Sequence, residues 1–359
     1  MFFYLKQFNW KLNFSVLFLG AMGLLSLASS KMELFNKQSL FWIVGMILIF
    51  LVIKFDWRLI INHQGIIIGL YFLIILLLAL TYFFAPVIRG TRSWLPIGPY
   101  QFQASEFAKI ALIIIFANFF RKKHISIARI SNLLVSFIYF LVPAILTLIQ
   151  PDLGSALVLF AIWFGFLLVS GIPWRHIAVS FFIFLALGTF AWFYGLHNYQ
   201  KERIIGVFLP ERDSLGINYN VIQSKIAIGS AGLFGKGFQQ GTQVQLGFLP
   251  EAQTDFIFAS VIEEFGLLSG FLLLIAFAIM IFEIIKIGFN SNNNFNKFVC
   301  LGSAIFFVIQ FIFNVGSNLG LTPVIGVTFP FLSYGGSSLL TNLIIVGIIQ
   351  SIVVRKLYQ

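Results

Sequence analysis

The chain has 359 residues, of which 59% are hydrophobic and only 10% charged, against roughly 25% charged in a soluble domain. A bilayer-spanning helix takes about 20 mostly apolar residues, so ten would use nearly the whole apolar inventory, which excludes a soluble enzyme, a disordered chain and a single-anchor protein. The formal net charge of +11 comes from Lys and Arg scattered near the ends of apolar runs, a placement that suits topology signals and anionic lipid headgroups rather than nucleic acid.

Apolar runs fall at 12–30, 39–54, 65–85, 105–120, 131–149, 153–170, 177–195, 256–287, 298–316 and 336–354. They are long and unbroken, unlike the short alternating segments of a transmembrane β-barrel. The expected fold is therefore all-α and polytopic: one membrane domain over 1–359 with about ten transmembrane helices. The first run is too long, and too quickly followed by another, for a cleaved signal peptide. An even number of spans puts both termini on one side. Lys54, Arg121, Lys122, Lys123, Arg175, Lys286 and Arg355 share that side, and the positive-inside rule makes it cytoplasmic.

Residues 196–255 then form one long extracytoplasmic loop between the seventh and eighth spans. It carries much of the charge found away from the cytoplasmic rim, and a loop of that length is uncommon and usually functional. Its centre, VIQSKIAIGSAGLF (221–234), is amphipathic and expected to lie along the membrane surface. No internal repeat is visible. Cys300 is the single cysteine, which excludes an intrachain disulfide. His63, His124, His176 and His197 form no zinc pattern, and there is no Walker A sequence.

Ionisable residues at membrane depth mark functional positions by default. Glu106 and Lys109 are three apart on one helical face, as a structural pair that orients two helices or as a functional one. Asp152, in QPDLGSAL, opens the sixth span as an N-cap or as a functional carboxylate. Asp255 opens the eighth span, where capping competes with a role as general base. A base acting on an anionic substrate needs cations nearby, and the preceding loop supplies Arg203, Arg212, Lys225 and Lys236. Glu263 and Glu264, two turns deeper, must be protonated or paired inside the bundle. The uncharged stretch PVIGVTFPFLSYGGSSLL (323–340) is an interfacial turn or a re-entrant loop lining a cavity.

Five stretches resemble one family: RSWLPIGPYQFQASEFAK (92–109), QPDLGSAL (150–157), NYNVIQSKIAIGSAGLFGKGFQQGTQVQLGFLPE (218–251), QTDFIFASVIEEFG (253–266) and PVIGVTFPFLSYGGSSLL (323–340). They are similar, in order and over nearly the whole chain, to the SEDS proteins of shape, elongation, division and sporulation. GKGFQQGTQVQLGFLPE looks most like the RodA-type, elongation branch. Three positions depart from the family's pattern: Ala104 stands where Pro is usual, Ser155 where Thr is common, and Gln253 where His usually precedes Thr-Asp.

The resemblance implies a multi-pass peptidoglycan glycosyltransferase of the bacterial cytoplasmic membrane. Its substrate would be lipid II, and its partner a class B penicillin-binding protein docked through a membrane helix. Asp255 would be the essential residue, Glu106 and Lys109 a pair in the cavity, and Asp152 the Asp of the QPDLG motif. An α-linked pyrophosphate converted to a β-1,4 bond implies inversion by one displacement with one base. Arg203, Lys225 and Lys236 would stabilise the departing pyrophosphate. A divalent cation such as magnesium could share that role, although no ligand cluster marks one. The alternatives are a lipid-linked precursor flippase and a non-catalytic scaffold of the elongation machinery. A flippase needs a polar route to the cytoplasmic face, whereas here the extra charge is concentrated in one outer loop. For the partner helix, the eighth and ninth spans are expected to offer the docking surface, with Gly302, Ser303 and Ala304 allowing close approach unless they pack internally.

Overall fold

A computed structural model describes residues 7–54, 63–88, 90–123, 129–196, 198–209, 216 and 218–356. Helices stand on all ten expected runs: α1 Trp10–Ser30, α2 Met32–Lys54, α3 Gln64–Phe84, α4 Ala104–Lys123, α5 Ile130–Ile149, α6 Leu153–Val169, α7 Trp174–Phe190, and further on α11 Ile257–Phe289, α12 Asn294–Leu319 and α13 Gly336–Lys356. Helices satisfy their own backbone hydrogen bonds, which is what a chain this apolar requires in lipid. Seven of them, α1, α2, α3, α5, α11, α12 and α13, are long and apolar enough to cross a membrane. Of the others, α6 and α7 have 17 residues each, and α4 carries Glu106 and Lys109 in its first two turns and three basic residues in its last. α2 starts seven residues ahead of its apolar run because Met32 follows α1 after the single residue Lys31. Its polar first turns are laced by a Glu33–Lys37 pair of 2.6 Å.

α4 is the centre of the bundle, buried from Ala104 to Phe120 on almost every face and packed against α3, α5, α6, α12 and α13. α1 lies on α11, and α2 on α13. Leading into α4 is a small antiparallel hairpin that the apolar pattern did not announce. Its strands, β1 Leu95–Ile97 and β2 Tyr100–Phe102, pair Leu95 with Phe102 and Ile97 with Tyr100 across a Gly98-Pro99 turn.

The stretch 196–255 is no open loop. It contains α8 Asn198–Phe208, α9 Tyr219–Ser230 and the single turn α10 Thr242–Gln245. α9 takes in 221–230 of the amphipathic segment and turns Ser224 and Ala227 inward against α11 and α12.

α11 is 33 residues long but is broken at Gly266, whose φ of 85° and ψ of 171° are not helical. The segment after α9 splices the break with its own backbone. Lys236 and Gly237 amides donate to the Glu263 and Glu264 carbonyls at 2.9 and 3.0 Å, while Leu267 and Leu268 amides donate to Gly232 and Leu233 at 3.0 and 3.2 Å. Only glycines permit this approach: a Cβ on Gly235 would lie 2.2 Å from the Glu264 carbonyl oxygen, and one on Gly266 would lie 2.2 Å from that of Leu233.

The uncharged connection between α12 and α13 is irregular and largely protein-buried, with Val327 and the run Phe329 to Ser333 in the core. Side chains from elsewhere satisfy its backbone. Gln38 donates to the Ser333 carbonyl and accepts the Gly335 amide, each at 3.2 Å.

Candidate functional site

Asp255 lies half-buried at the entrance to α11. The N-cap position of that helix is Phe256, so Asp255 stands one residue ahead of the cap rather than in it. The three residues that end on it are gripped through their carbonyls. Tyr334 donates its amide to Gln253 at 2.9 Å, and Ser333 Oγ donates to Thr254 at 2.7 Å. Asn314 and Asn318 donate their Nδ2 groups to the Asp255 carbonyl at 3.1 and 2.7 Å. On the other side, Glu251 closes the turn, accepting the Thr254 and Phe256 amides at 3.1 and 3.2 Å. Fixing the backbone on both flanks leaves the carboxylate on a rigid support, as proton transfer requires of a positioned side chain.

Beside α9, a shallow, solvent-open pocket is lined by Arg203, Gly206, Asn218, Lys225, Gly320 and Thr322 among others. Two of the expected cations therefore share one wall set, although α8 and α9 carry them separately. Lys225 is exposed and has no ion pair among the described residues. Arg203 Nη1 donates to the Val324 carbonyl at 3.0 Å. Lys236 is elsewhere engaged: its Nζ lies 2.7 Å from Glu263 Oε1 and 2.8 Å from Thr242 Oγ1. Arg212, the fourth expected cation, lies outside the described residues, as do His124 and His197.

Of the deep carboxylates, Glu263 is ion-paired and Glu264 is held by neutral donors on one oxygen. Glu263 accepts from Lys236, Thr242 and the Gln243 and Val244 amides. Glu264 accepts from Ser29 Oγ and from Gln245 Nε2. Glu106 and Lys109 form a buried pair at 2.6 Å, their side chains 7% and 3% exposed, and Glu106 Oε2 has no hydrogen-bond partner among the described residues. Asp152 is the N-cap of α6, accepting the Ser155 amide at 2.9 Å, and its second oxygen takes Gln103 Nε2 and Ser105 Oγ from the start of α4 at 3.2 and 3.3 Å. The cap thus also joins α4 to α6. Among the described residues no group of three or more His, Cys, Asp or Glu side chains is placed to hold a metal ion.

A family described as cell cycle proteins, which groups FtsW, RodA and SpoVE, matches residues 9–358. The chain belongs to the SEDS family. It is 37% identical to the Escherichia coli K12 peptidoglycan glycosyltransferase MrdB over 283 residues, 79% of this chain and 76% of that one. It is 35% identical to the stage V sporulation protein E of Bacillus subtilis over 324 residues, 88% and 86% of the two chains. Among solved structures, it is similar to a chain from work on the structural coordination of polymerization and crosslinking by a peptidoglycan synthase complex. That chain gives a TM-score of 0.83 at 33% identity, covering 98% of this chain and 99% of the other. The rod shape determining protein RodA of Thermus thermophilus gives 0.73 at 30% identity, covering 98% of each.

Within this SEDS bundle the small residues expected to admit a partner helix on the ninth span pack internally instead. Gly302 points inward: a Cβ there would lie 2.5 Å from the Phe166 ring of α6 and 3.2 Å from Ile113 of α4. Ser303 and Ala304 are 1% and 5% exposed, and Ser303 Oγ bonds the Val299 carbonyl at 2.8 Å. Gly302 lets α12 approach α4 and α6, and all three residues are turned away from any partner. Asn314, Asn318 and Ser333, which hold the Asp255 segment, were not expected from the sequence. They carry no charge, although two asparagines four apart in an apolar run are a signal in their own right.

Proposed function

We propose that this multi-pass membrane protein is a peptidoglycan glycosyltransferase that joins lipid II disaccharide units into β-1,4-linked glycan strands, with Asp255 as its general base. The observation that carries the reading is the gripped backbone at Asp255, tied through Asn318 to the end of α12, where Gly320 lines the pocket that holds Arg203 and Lys225. In the reaction the Asp255 carboxylate takes the proton from the 4-hydroxyl of the acceptor GlcNAc. The freed oxygen attacks the anomeric carbon of the donor MurNAc, and the bond to undecaprenyl pyrophosphate breaks with inversion. Inverting glycosidases also use one direct displacement but must protonate their leaving group. Pyrophosphate departs as a stable anion, so Lys225 and Arg203 replace that acid by stabilising developing charge. Lys236, already bound to Glu263, keeps the splice at Gly266 closed rather than meeting phosphate.

The same reading places ten spans in the bacterial cytoplasmic membrane, with both termini cytoplasmic and residues 196–255 outside. The strands serve cell elongation and rod shape, and a class B penicillin-binding protein cross-links them. The similarity to a chain from a peptidoglycan synthase complex supports that partnership. The deciding experiment is polymerisation of purified lipid II by the purified protein and its Asp255→Asn variant. Removing a general base costs about 10²–10⁴-fold. A folded Asp255→Asn protein that still elongates strands at a near-normal rate removes Asp255 from the mechanism.

A further inference from the structure

Asn318 stands where three segments meet. Its Nδ2 donates to the Asp255 carbonyl at 2.7 Å and to the Asn314 carbonyl at 2.8 Å. Its Oδ1 accepts the Ala259 amide, in the first turn of α11, at 3.0 Å. Its own carbonyl accepts Ser224 Oγ from α9 at 2.9 Å. The residue is fully buried, and every one of these bonds but that to Asn314 leaves its own helix.

Ser224 is the chain neighbour of Lys225, and Lys225 returns to the same spot. Two residues past Asn318, Gly320 ends α12 in the left-handed conformation with φ of 73°. The Cε and Nζ atoms of Lys225 cross directly over it, each 2.5 Å from where a Cβ on Gly320 would lie. Within three residues, the end of α12 thus touches the backbone of the base on one side and the cation on the other.

We propose that Asn318 is a positioning residue of the transferase, which sets the placement of Asp255 relative to Lys225. The inference rests on the reading of Asp255 as base and Lys225 as a pyrophosphate ligand. In an inverting displacement the incoming hydroxyl and the leaving group lie on opposite faces of one sugar ring. The base and the leaving-group cation must therefore be held one ring apart while α9, on the pocket side, carries the cation. A strut from α12 to both fixes one relative to the other. A side chain that merely filled the core would need no bond to Asp255. Nor would a helix-stabilising amide need to hold the Asp255 carbonyl and the Ala259 amide at once, on the residue whose backbone carbonyl takes Ser224 of α9.

The test uses the full-length protein with lipid II, comparing Asn318→Ala, Asn318→Asp and Ser224→Ala with wild type and Asp255→Asn. Turnover is measured per monodisperse molecule, with thermal unfolding recorded beside it. Asn318→Asp keeps the size and the acceptor for Ala259 but turns an acceptor oxygen toward the Asp255 carbonyl. Misplacement of a reacting group by about 1 Å costs about 10²-fold, so kcat of the folded Asn318 variants falls by about that factor, with KM changed less than about threefold. Ser224→Ala, which loses only the far end of the strut, loses about threefold to tenfold in kcat with the same unchanged KM. Folded Asn318 variants with wild-type kcat overturn the proposal, as does a loss fully accounted for by a smaller folded fraction. If the Asn318 variants do not fold, Ser224→Ala decides: reduced kcat at unchanged KM supports the strut, and wild-type kcat overturns it. Retained polymerisation by Asp255→Asn is a separate result, which overturns the base reading and this inference together.

Discussion

Lys236 Nζ lies 2.7 Å from Glu263 Oε1, tying the spliced segment to the last turn of α11 before its break at Gly266. Glu263 is fully buried, and it also gathers the Gln243 and Val244 amides at 2.9 and 3.3 Å. The charge pair is therefore the side-chain half of the splice whose backbone half joins residues 232–237 to 263–268. Breaking a buried ion pair by removing one partner costs about 3–5 kcal/mol, and the lower end applies because Lys236 is 23% exposed. Lys236→Met should lower the thermal unfolding temperature, while the folded fraction polymerises at the normal rate. Unchanged stability with lost polymerisation would instead return Lys236 to the substrate.

The Glu106–Lys109 pair should behave as one unit. Both side chains are nearly inaccessible in the central helix, so either single substitution strands a charge, again at about 3–5 kcal/mol. Glu106→Gln with Lys109→Met should be less damaging than the sum of the two. A double-mutant cycle on unfolding temperature checks this, and additive losses would mean that the two side chains do not stabilise each other.

The helical framework was legible because unbroken apolar runs of this length have one solution in lipid, and the helices stand on those runs. What escaped was short or non-local. β1 and β2 are three residues each, too brief for alternation to register beside the apolar segments around them. The break at Gly266 is invisible in 256–287 because the apolar run continues through it, and the amides and carbonyls that repair it come from some thirty residues upstream. Asp255, Arg203 and Lys225 could be singled out by charge. The neutral amides and hydroxyls that hold the Asp255 backbone carry no such mark, and the inward face of Gly302 depends on which helix α12 meets.

That face makes its own prediction. Phe166 already occupies the space a Cβ on Gly302 would need, so Gly302→Leu should overpack the seam between α12, α6 and α4. Such insertions cost about 1–3 kcal/mol. The isolated protein should unfold at a lower temperature in the absence of any partner. Phe271→Ala, on a residue of α11 that is 60% exposed, should leave that temperature nearly unchanged. Equal stability of Gly302→Leu and wild type would show that the seam can open.

The pocket beside α9 gives the sharpest separation between the cations. Lys225 is exposed and without an ion pair among the described residues, so its charge is available to an anion; that of Lys236 is committed to Glu263. If Lys225 stabilises departing pyrophosphate, its contribution grows as the bond breaks, because charge develops on the leaving oxygen in the transition state. Lys225→Met should therefore lower kcat/KM for lipid II by about 10²–10³-fold, the scale for removing one preorganised partner of developing charge. Lys225→Arg should recover much of the loss, since a guanidinium also binds phosphate oxygens. Undecaprenyl pyrophosphate, which carries the same anion, should inhibit wild type and Lys236→Met alike but Lys225→Met more weakly. Steady-state polymerisation with added product measures all three. Normal turnover and normal product inhibition in Lys225→Met would place the pyrophosphate outside this pocket.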